Sequence, residues 1–375
     1  MRITVQDKDQ ERLEVMGLLD HWNKTRNSFN VVAVMNLNCN FSCVYCYEGD
    51  RKNPNLRMSF DTADKLEKFI LKNREDDDNV RIDFYGGEPL LDVPMIRYIS
   101  EKMATMTQQN GKLYEFYLVT NGSLLTEKVL DTLIPLGLRG IKITLDGPKD
   151  IHDKQRPYVH GKGSFDDIIR NVKLAYERTN IQIGGNFSRH NYSRFPELLD
   201  YLLEQGIDPK KLVAVKFAPI TEPESKNLVP SFGSGCRSIN EPWLFEAVIL
   251  LRQEILSRGF STPSVAMGPC TMYFGKEYVV NHDGALYKCP GFLCHQKYAI
   301  GCIDDDKPGS PEAYKLDLWK NERCRDCSYL PLCFGGCRYM EFINTGEIGI
   351  NCKLAFYEAT LKYFLEQDAK YSEEK

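Results

Sequence analysis

Three cysteines near the start of the chain have a spacing that can bind metal. Cys39, Cys43 and Cys46 lie in the stretch NLNCNFSCVYCYEG with the spacing C-x3-C-x2-C, directly after an apolar run that predicts a strand. Three thiolates on a short loop can bind three irons of one cubane cluster, which leaves the fourth iron open to another molecule. Structural zinc would need a fourth Cys or His, and none is nearby. The spacing therefore predicts an iron–sulfur cluster with one open iron.

A second series of cysteines lies toward the C-terminus. Its members are Cys270, Cys289, Cys324, Cys327, Cys333, Cys337 and Cys352. The chain has 13 cysteines and no export signal, and cytosolic reductants keep thiols reduced, so a disulfide framework is not expected. Clustered thiols in that setting are more often metal ligands. The alternative for the paired C-x2-C and C-x3-C spacings is a zinc ribbon.

Between these two groups, predicted strands and helices alternate. Apolar, β-branched runs predict strands at 31–37, 80–85, 114–120, 140–145, 181–187 and 212–220. Amphipathic stretches that begin near Ser59, Asp92, Ser164 and Pro242 predict helices. This alternation is typical of an α/β fold with a parallel sheet. Because about six units are too few for a closed eight-stranded barrel, we expect a partial (β/α)6 barrel or an open sheet.

Polar segments follow three of the predicted strands. They are Gly86-Gly87-Glu88-Pro89 after the second strand, Thr120-Asn121 after the third and Asp146-Gly147 after the fourth. Ligands of parallel sheets bind at the carboxyl ends of the strands, so these segments are expected at one site. Glycines there allow the backbone to approach a ligand closely, and the alternative is an ordinary tight turn between strand and helix.

Charge and hydropathy exclude two classes of partner. The net charge is −4, the pI is about 6.0 and no Lys/Arg-rich stripe is present, so nucleic acid is not expected as a main partner. No apolar run is long enough to span a bilayer, and the N-terminal residues lack a signal-peptide pattern. We therefore expect no membrane association and a cytoplasmic location.

The first cysteine group resembles the signature of radical S-adenosylmethionine (SAM) enzymes, C-x3-C-x-aromatic-C, with Tyr45 as the aromatic residue. In that family SAM chelates the open iron of a 4Fe-4S cluster. One electron cleaves it, and the resulting 5′-deoxyadenosyl radical abstracts a substrate hydrogen. Residues 86–89 are similar to the family's GGEP motif, which contacts the amino group of SAM.

A further stretch, 145–156, is similar to the LDGP…HD…R segment of peptide-acting members of the family. Thr120, Asn121 and Asp146 are expected in the SAM site because they lie at the same strand ends, and by this likeness Arg156 binds the SAM carboxylate. An Arg is suited to such a charge-assisted contact. The alternative for Arg156 is a salt bridge in an exposed loop.

The C-terminal cysteines resemble the SPASM extension, which holds auxiliary 4Fe-4S clusters, so the likeness spans nearly the whole chain. By that pattern Cys324, Cys327, Cys333 and Cys352 bind the outer cluster, and Cys270, Cys289 and Cys337 bind the inner one. Members with the full set carry a further cysteine shortly before the residue that matches Cys270, and residues 262–266 contain none. The fourth inner position is therefore open or is filled by Cys236, Cys294 or Cys302. These three are equally expected as buried apolar residues.

The resemblance and a change in the pattern of apolar residues divide the chain into four segments. Residues 268–375 are poor in apolar periodicity, so bound metal is expected to substitute for part of a core there. The segments are a short N-terminal extension (1–30), a radical SAM partial barrel (31–235), a linker helix (236–267) and a SPASM domain (268–375).

The resemblance implies an enzyme that modifies a ribosomally made precursor peptide by thioether or carbon–carbon crosslinking, epimerisation or tyrosine-derived excision. A radical SAM dehydrogenase of small molecules, a sulfatase maturase and a non-catalytic zinc-stabilised binding protein are the alternatives. Sulfatase maturases carry an Asp directly after the cysteine that matches Cys289, and Pro290 stands there in this chain.

Two protein partners are expected besides the precursor peptide. Only about 30 residues precede the first predicted strand, below the roughly 40 residues at which isolated domains become hard to stabilise. Leader recognition is therefore expected from a separate small protein or from the barrel itself. The electron is expected from a flavodoxin- or ferredoxin-type reductant.

Overall fold

The computed structural model describes residues 8–48, 53–109, 111–222, 232–293 and 295–372. Eight strands form one sheet at its centre. They are β1 (Ser28–Asn36), β2 (Asn79–Gly86), β3 (Tyr114–Thr120), β4 (Leu138–Thr144), β5 (Asn180–Phe187), β6 (Leu212–Pro219), β7 (Glu277–Val280) and β8 (Leu286–Tyr287). The order is β6-β5-β4-β3-β2-β1-β7-β8, and all neighbours are parallel except the antiparallel pair of β7 and β8.

Helices alternate with the strands as far as β6, α8 lies between β6 and β7, and the last four helices follow β8. They are α1 (Lys8–Thr25), α2 (Phe60–Asn73), α3 (Val93–Gln109), α4 (Glu127–Leu133), α5 (Lys149–Gln155), α6 (Phe165–Ala175), α7 (Pro196–Glu204), α8 (Pro242–Ser257), α9 (Glu322–Arg325), α10 (Leu330–Cys333), α11 (Arg338–Thr345) and α12 (Leu354–Ser372). Ser59 caps α2 as predicted, with its hydroxyl accepting a hydrogen bond from the Thr62 amide at 3.0 Å. No helix in the described ranges has the length and apolar character that crossing a membrane requires.

The predicted α/β class and its six parallel strands are confirmed, with small shifts at the ends. β1 begins at Ser28, so the expected boundary between residues 30 and 31 falls inside a strand. Polar residues hid this start from the sequence pattern. Asn30 is paired in the ladder with Arg81, and its side chain bonds Glu277 Oε1 at 2.7 Å.

The C-terminal segment adds two strands that the sequence pattern did not join to the barrel. β7 pairs parallel with β1, from Asn30↔Glu277 to Ala33↔Val280. The Tyr278 ring stacks on Phe29 and meets Phe69 of α2 edge-on, with centroids 5.5 and 5.3 Å apart. The barrel and residues 268–372 therefore share one sheet and one core. A strand of four residues is too short to show its alternation in the sequence.

The C-terminal segment also buries more aromatic surface than its weak periodicity predicted. Phe292, Tyr314, Trp319 and Phe334 are each at most 1% exposed and belong to the main core. Short helical turns separate these residues in the sequence, so their spacing has no regular period from which burial could be predicted.

The two faces of the barrel sheet differ. Apolar residues such as Ile82, Phe116 and Ile141 are buried on the outer face, which the helices cover. The alternate positions point to the inner face, where polar residues such as the half-buried Asp83 and the exposed Lys142 lie. The carboxyl ends of the strands open onto this inner face, and the candidate site lies there.

Candidate active site

The loop that carries the first three cysteines follows β1 and is held by backbone hydrogen bonds to the end of α5. The amide of Ser42 bonds the Pro157 carbonyl at 2.8 Å, and the amide of Val44 bonds the Gln155 carbonyl at 3.0 Å. Phe41 is fully buried beneath the loop. The thiols are thus fixed relative to the sheet by packing and main-chain bonds.

Cys39, Cys43 and Cys46 lie in the wall of a cavity of about 370 Å³ at the carboxyl ends of the strands. Six residues predicted for the SAM site share this wall: Tyr45, Gly86, Gly87, Thr120, Asn121 and Arg156. Glu88, Pro89 and Asp146 are buried just behind it. The fold therefore brings the predicted SAM site together, with some members in contact with the cavity and others supporting them.

The donor set fits an iron–sulfur cluster better than zinc. Four thiolates around one zinc, at about 2.3 Å each, would place their sulfurs roughly 3.8 Å apart. Among the described residues, the only group of at least three potential ligand atoms within 4.8 Å of one another is Glu75, Asp77 and Asp78. No three described cysteines come that close, which suits the larger body of a cubane with a thiolate at each bound corner.

Tyr45 is the centre of a buried hydrogen-bond network. Its hydroxyl donates to Asp146 Oδ2 and accepts from Arg156 Nη1 at 2.8 Å and from Asn186 Nδ2 at 3.0 Å. The Asn186 amide donates to Asp146 Oδ1 at 2.7 Å. Burial raises the pKa of Tyr45 well above 10, so the phenol stays protonated and donates to Asp146. The network fixes Arg156 at the edge of the cavity.

Arg156 is 8% exposed and forms no ion pair with any described residue. No described residue accepts a hydrogen bond from its Nε, although that atom is buried. This geometry rules out the alternative of an exposed loop salt bridge. A buried guanidinium with a spare donor next to a cavity is suited to bind a carboxylate.

His152 supports Asp146 and Arg156 from behind. Its Nδ1 accepts a hydrogen bond from the Asp146 amide at 3.0 Å, and its Nε2 lies 3.0 Å from Ser164 Oγ. Ser164 donates its own hydroxyl proton to the Arg156 carbonyl at 2.6 Å, so Nε2 carries the proton of a neutral ring. Burial lowers the pKa of His152 well below its ordinary value, in agreement with the neutral form.

Glu88 joins the ends of β2 and β3. Its Oε1 accepts from Thr120 Oγ1 at 2.6 Å and from the Leu90 amide at 2.9 Å, and its Oε2 accepts from the Asn121 amide at 2.8 Å. The side chain is fully buried, and burial raises its pKa although these donors lower it. The carboxylate is thus occupied by the protein and holds Thr120 and Asn121 in position.

Gly86 and Gly87 are required by the neighbouring loop. A Cβ at Gly86 would lie 2.3 Å from the Asn36 carbonyl oxygen, and one at Gly87 would lie 2.2 Å from that of Asn38. Gly86 also has φ of 133°, which other residues rarely adopt. The two glycines are therefore needed for the close packing of the cysteine loop on β2, in addition to the expected need to leave room for a ligand.

Sequence reasoning missed several residues of the cavity wall. Asn186 is the penultimate residue of β5, and the polar end of a predicted strand was the available signal. Tyr47 and Tyr85 lie in the wall and bond each other through their hydroxyls, beside Cys46 and the glycine pair respectively. The remaining missed residues are Glu48, Val119, Lys142, Thr144, Pro219, Ile220, Thr221, Tyr339 and Ile343. Tyr339 and Ile343 belong to α11, and no local pattern could place them opposite the strand ends.

The C-terminal cysteines gather in the two groups that were predicted. Cys324, Cys327, Cys333 and Cys352 line one cavity of about 540 Å³. Cys270, Cys289 and Cys337 are close enough to interact electrostatically, because burial and then the charges of the other two thiols raise the pKa of Cys289 to about 12. Their assignment as ligands of an outer and an inner cluster stays a prediction.

Two of the spare cysteines have other side chains around them, and the third lies outside the described residues. Cys236 is buried in an apolar cluster with Phe187, Phe195 and Leu244. Cys302 lies against Gly284, with its sulfur 3.4 Å from the position of a Cβ there. Cys294 falls outside the described residues. Cys236 thus has the surroundings of an ordinary core residue.

Comparison with known proteins agrees with this geometry. The profile of the Radical SAM superfamily matches residues 34–202. The chain is 26% identical over 333 residues to the cysteine-type anaerobic sulfatase-maturating enzyme of Clostridium novyi, which covers 80% of this chain and 85% of that protein.

Two solved structures share the fold. The structure of anSMEcpe with bound AdoMet is similar with a TM-score of 0.69 and 19% identity, over 92% of this chain and 93% of that one. SuiB of Streptococcus suis bound to the precursor peptide SuiA is similar with a TM-score of 0.64 and 14% identity, over 92% and 80%. The likeness covers both the barrel and the cysteine-rich C-terminal segment.

Proposed function

We propose that this chain, a radical SAM enzyme of the SPASM-containing maturase type that uses SAM and 4Fe-4S clusters, modifies a residue within a ribosomally made precursor peptide. The observation that carries the proposal is the cavity at the strand ends. It combines the three cysteines of an open-iron cluster, the buried Arg156 and two residues of α11 from the C-terminal segment.

The protein's own residues bind and orient in this reaction. Bound SAM and its cluster supply a one-electron bond cleavage and a radical that abstracts hydrogen, which is the chemistry of the cofactor. Arg156, held by Tyr45, would bind the SAM carboxylate, and Asn121 would orient toward the cluster, since its Nδ2 lies 3.8 Å from Cys39 Sγ. Tyr339 and Ile343 form part of the cavity wall, where apolar side-chain surface would help to exclude water from the reaction.

A peptide substrate suits the architecture. The cavity wall joins the strand ends to α11, and it also includes Pro219, Ile220 and Thr221 at the end of β6. β6 is the edge strand of the sheet, so no further strand of the described residues closes the cavity on this side. A structural relative, SuiB, has been seen with a bound precursor peptide. We infer that a flavodoxin- or ferredoxin-type protein supplies the electron.

The test combines cofactor cleavage with mass analysis of a peptide. Anaerobically reconstituted protein with a strong chemical reductant should convert SAM to 5′-deoxyadenosine. Co-expression with short peptides encoded beside its gene should then yield a modified product. A crosslink removes two hydrogens, and epimerisation in deuterated water leaves one deuterium at the altered carbon. SAM cleavage without modification of any such peptide would contradict the substrate assignment.

Maturation of a sulfatase is the second candidate. The similarity to the sulfatase-maturating enzyme of Clostridium novyi covers four fifths of the chain and favours it. Against it, Pro290 begins a short helical turn where the resemblance calls for an Asp, so no carboxylate follows Cys289. A cysteine-containing sulfatase peptide separates the candidates, because maturation replaces its thiol by a carbonyl oxygen.

A further inference from the structure

The inner face of the barrel sheet carries charges of both signs, and its described acids have partners. Asp83 forms two hydrogen bonds with Arg81, at 2.9 and 3.2 Å. Glu115 Oε2 lies 3.6 Å from Arg139 Nε. These pairs neutralise one another on β2, β3 and the start of β4.

Two lysines on the same face have no such partner. Lys142 of β4 and Lys216 of β6 form no ion pair and no side-chain hydrogen bond with any residue in the described part of the chain. Lys142 lies in the wall of the cavity that contains the three cysteines. Its side chain is exposed to water on the open inner face, but the nearby protein still desolvates it in part, which lowers the pKa of Lys142, and the charge of Lys216 lowers it as well.

Gly184 on the strand between them leaves space for Lys142. In the ladder Gly184 is paired with Thr144 and with Lys216. A Cβ at Gly184 would lie 3.2 Å from Lys142 Cε, which is closer than side chains normally pack. The lysine stem therefore crosses β5 over the glycine, toward the side where Lys216 lies.

The position of Lys142 is separate from the Arg156 network. Lys142 precedes Asp146 by four residues, which corresponds to about 13 Å of extended strand. Arg156, at the level of Asp146, has a spare donor for the SAM carboxylate, as argued above. A second, unpaired cationic group deeper in the barrel is therefore available to another anion.

We propose that Lys142 binds a carboxylate of the substrate inside the barrel, and that it selects peptides with an acidic side chain or a free C-terminal carboxylate close to the modified residue. The inference rests on the proposed function, since it names a feature of the peptide that the cavity accepts. Lys216 strengthens the positive potential across Gly184, and Lys142 makes the contact.

The binding test uses the reconstituted holoprotein with SAM and needs no turnover. A randomised peptide library, prepared with free and with amidated C-termini, is equilibrated with immobilised protein under anaerobic conditions, and the bound fraction is sequenced by mass spectrometry. If the carboxylate comes from an acidic side chain, the wild type should enrich Asp and Glu in both libraries. If it is the C-terminal carboxylate, the wild type should retain peptides from the free-acid library alone.

Substitutions at position 142 test whether Lys142 makes the contact with the carboxylate. Lys142→Met should reduce the enrichment at least about tenfold, as expected for loss of a charge-assisted hydrogen bond. Lys142→Arg should retain most of it, and Lys142→Glu should favour Lys and Arg instead. Lys128→Met, an equal change of charge on the exposed surface of α4, should behave like the wild type.

The outcomes separate this inference from the proposed function. Unchanged acidic enrichment in Lys142→Met, or no acidic preference in the wild type, overturns it. Weaker SAM binding in Lys142→Met also overturns it, because the lysine would then serve the cofactor. A peptide preference that depends on Lys142 in a protein that cleaves no SAM would support the carboxylate site and refute the radical function.

Discussion

The two cysteine regions are predicted to bind the same kind of cluster, but the protein builds them differently. Cys39, Cys43 and Cys46 lie on a loop that main-chain bonds anchor to β1 and α5, above a sheet with a complete core. The outer C-terminal cysteines lie on the short helices α9 and α10, in the turn between these helices and in the loop before α12. We infer that the first region takes its geometry from the sheet, and we expect the second to depend on bound metal for its geometry.

The part of the C-terminal segment that is expected to depend on bound metal is shorter than residues 268–372. The aromatic cluster around Phe292 and Trp319 and the pairing of β7 with β1 tie most of that segment to the main core. The residues that are expected to need metal for their structure are those around the outer cavity, from Cys324 to Cys352.

The largest effect is expected from removal of a cysteine of the first group. Cys43→Ala should abolish the formation of 5′-deoxyadenosine, because the cluster loses one of three protein ligands. The sheet should remain folded, with circular dichroism and thermal unfolding close to the wild type. Cys236→Ala is the matched control, since this buried cysteine should be dispensable for iron content and SAM cleavage. Loss of the fold in Cys43→Ala would show that the first region also depends on its metal.

Removal of the outer cluster should have the opposite pattern. Cys324→Ser together with Cys327→Ser should leave SAM cleavage in place but expose the chain between residues 321 and 353 to limited proteolysis, because few packed elements remain there without metal. Cleavage sites and iron content are read by mass spectrometry and metal analysis. Proteolysis equal to that of the wild type would contradict the proposed difference between the regions.

Substitution of Arg156 tests the network around Tyr45. Arg156→Met should weaken SAM binding by about 10- to 100-fold, since a hydrogen bond to a charged group contributes roughly 1.5–3 kcal/mol. The dissociation constant is measured anaerobically on the reconstituted protein. Arg170→Met removes an exposed arginine whose ion-pair partner among the described residues is Asp167, and it should have no effect. An unchanged constant for Arg156→Met would refute its role in carboxylate binding.

The smallest effect concerns the support behind the first region. Because burial lowers the pKa of His152, the folded protein keeps the ring neutral while the unfolded chain takes up a proton below about pH 6.5. Stability should therefore fall as the pH decreases, by about 1 kcal/mol between pH 7 and 5.5. His152→Gln should lack this component of the unfolding free energy. Equal pH dependence in both proteins would show that His152 titrates in the folded state.

Much of the fold and of the site could be predicted from the sequence alone. Apolar periodicity gave the six parallel strands, and the spacing of Cys39, Cys43 and Cys46 predicted an open-iron cluster, because both properties are local. β7 was missed as part of the barrel sheet, since four residues carry too little pattern to reveal a partner 247 positions away.

The sequence by itself determined which residues stand at the strand ends and which thiols are spaced for metal. The tertiary structure decided the direction in which those side chains point. It turned Glu88 and Asp146 away from the cavity to support their neighbours, and placed Tyr339 of α11 and the unpaired Lys142 in its wall. The physical reason is that spacing along a chain fixes the order of chemical groups, whereas burial and hydrogen-bond partners come from residues distant in the sequence.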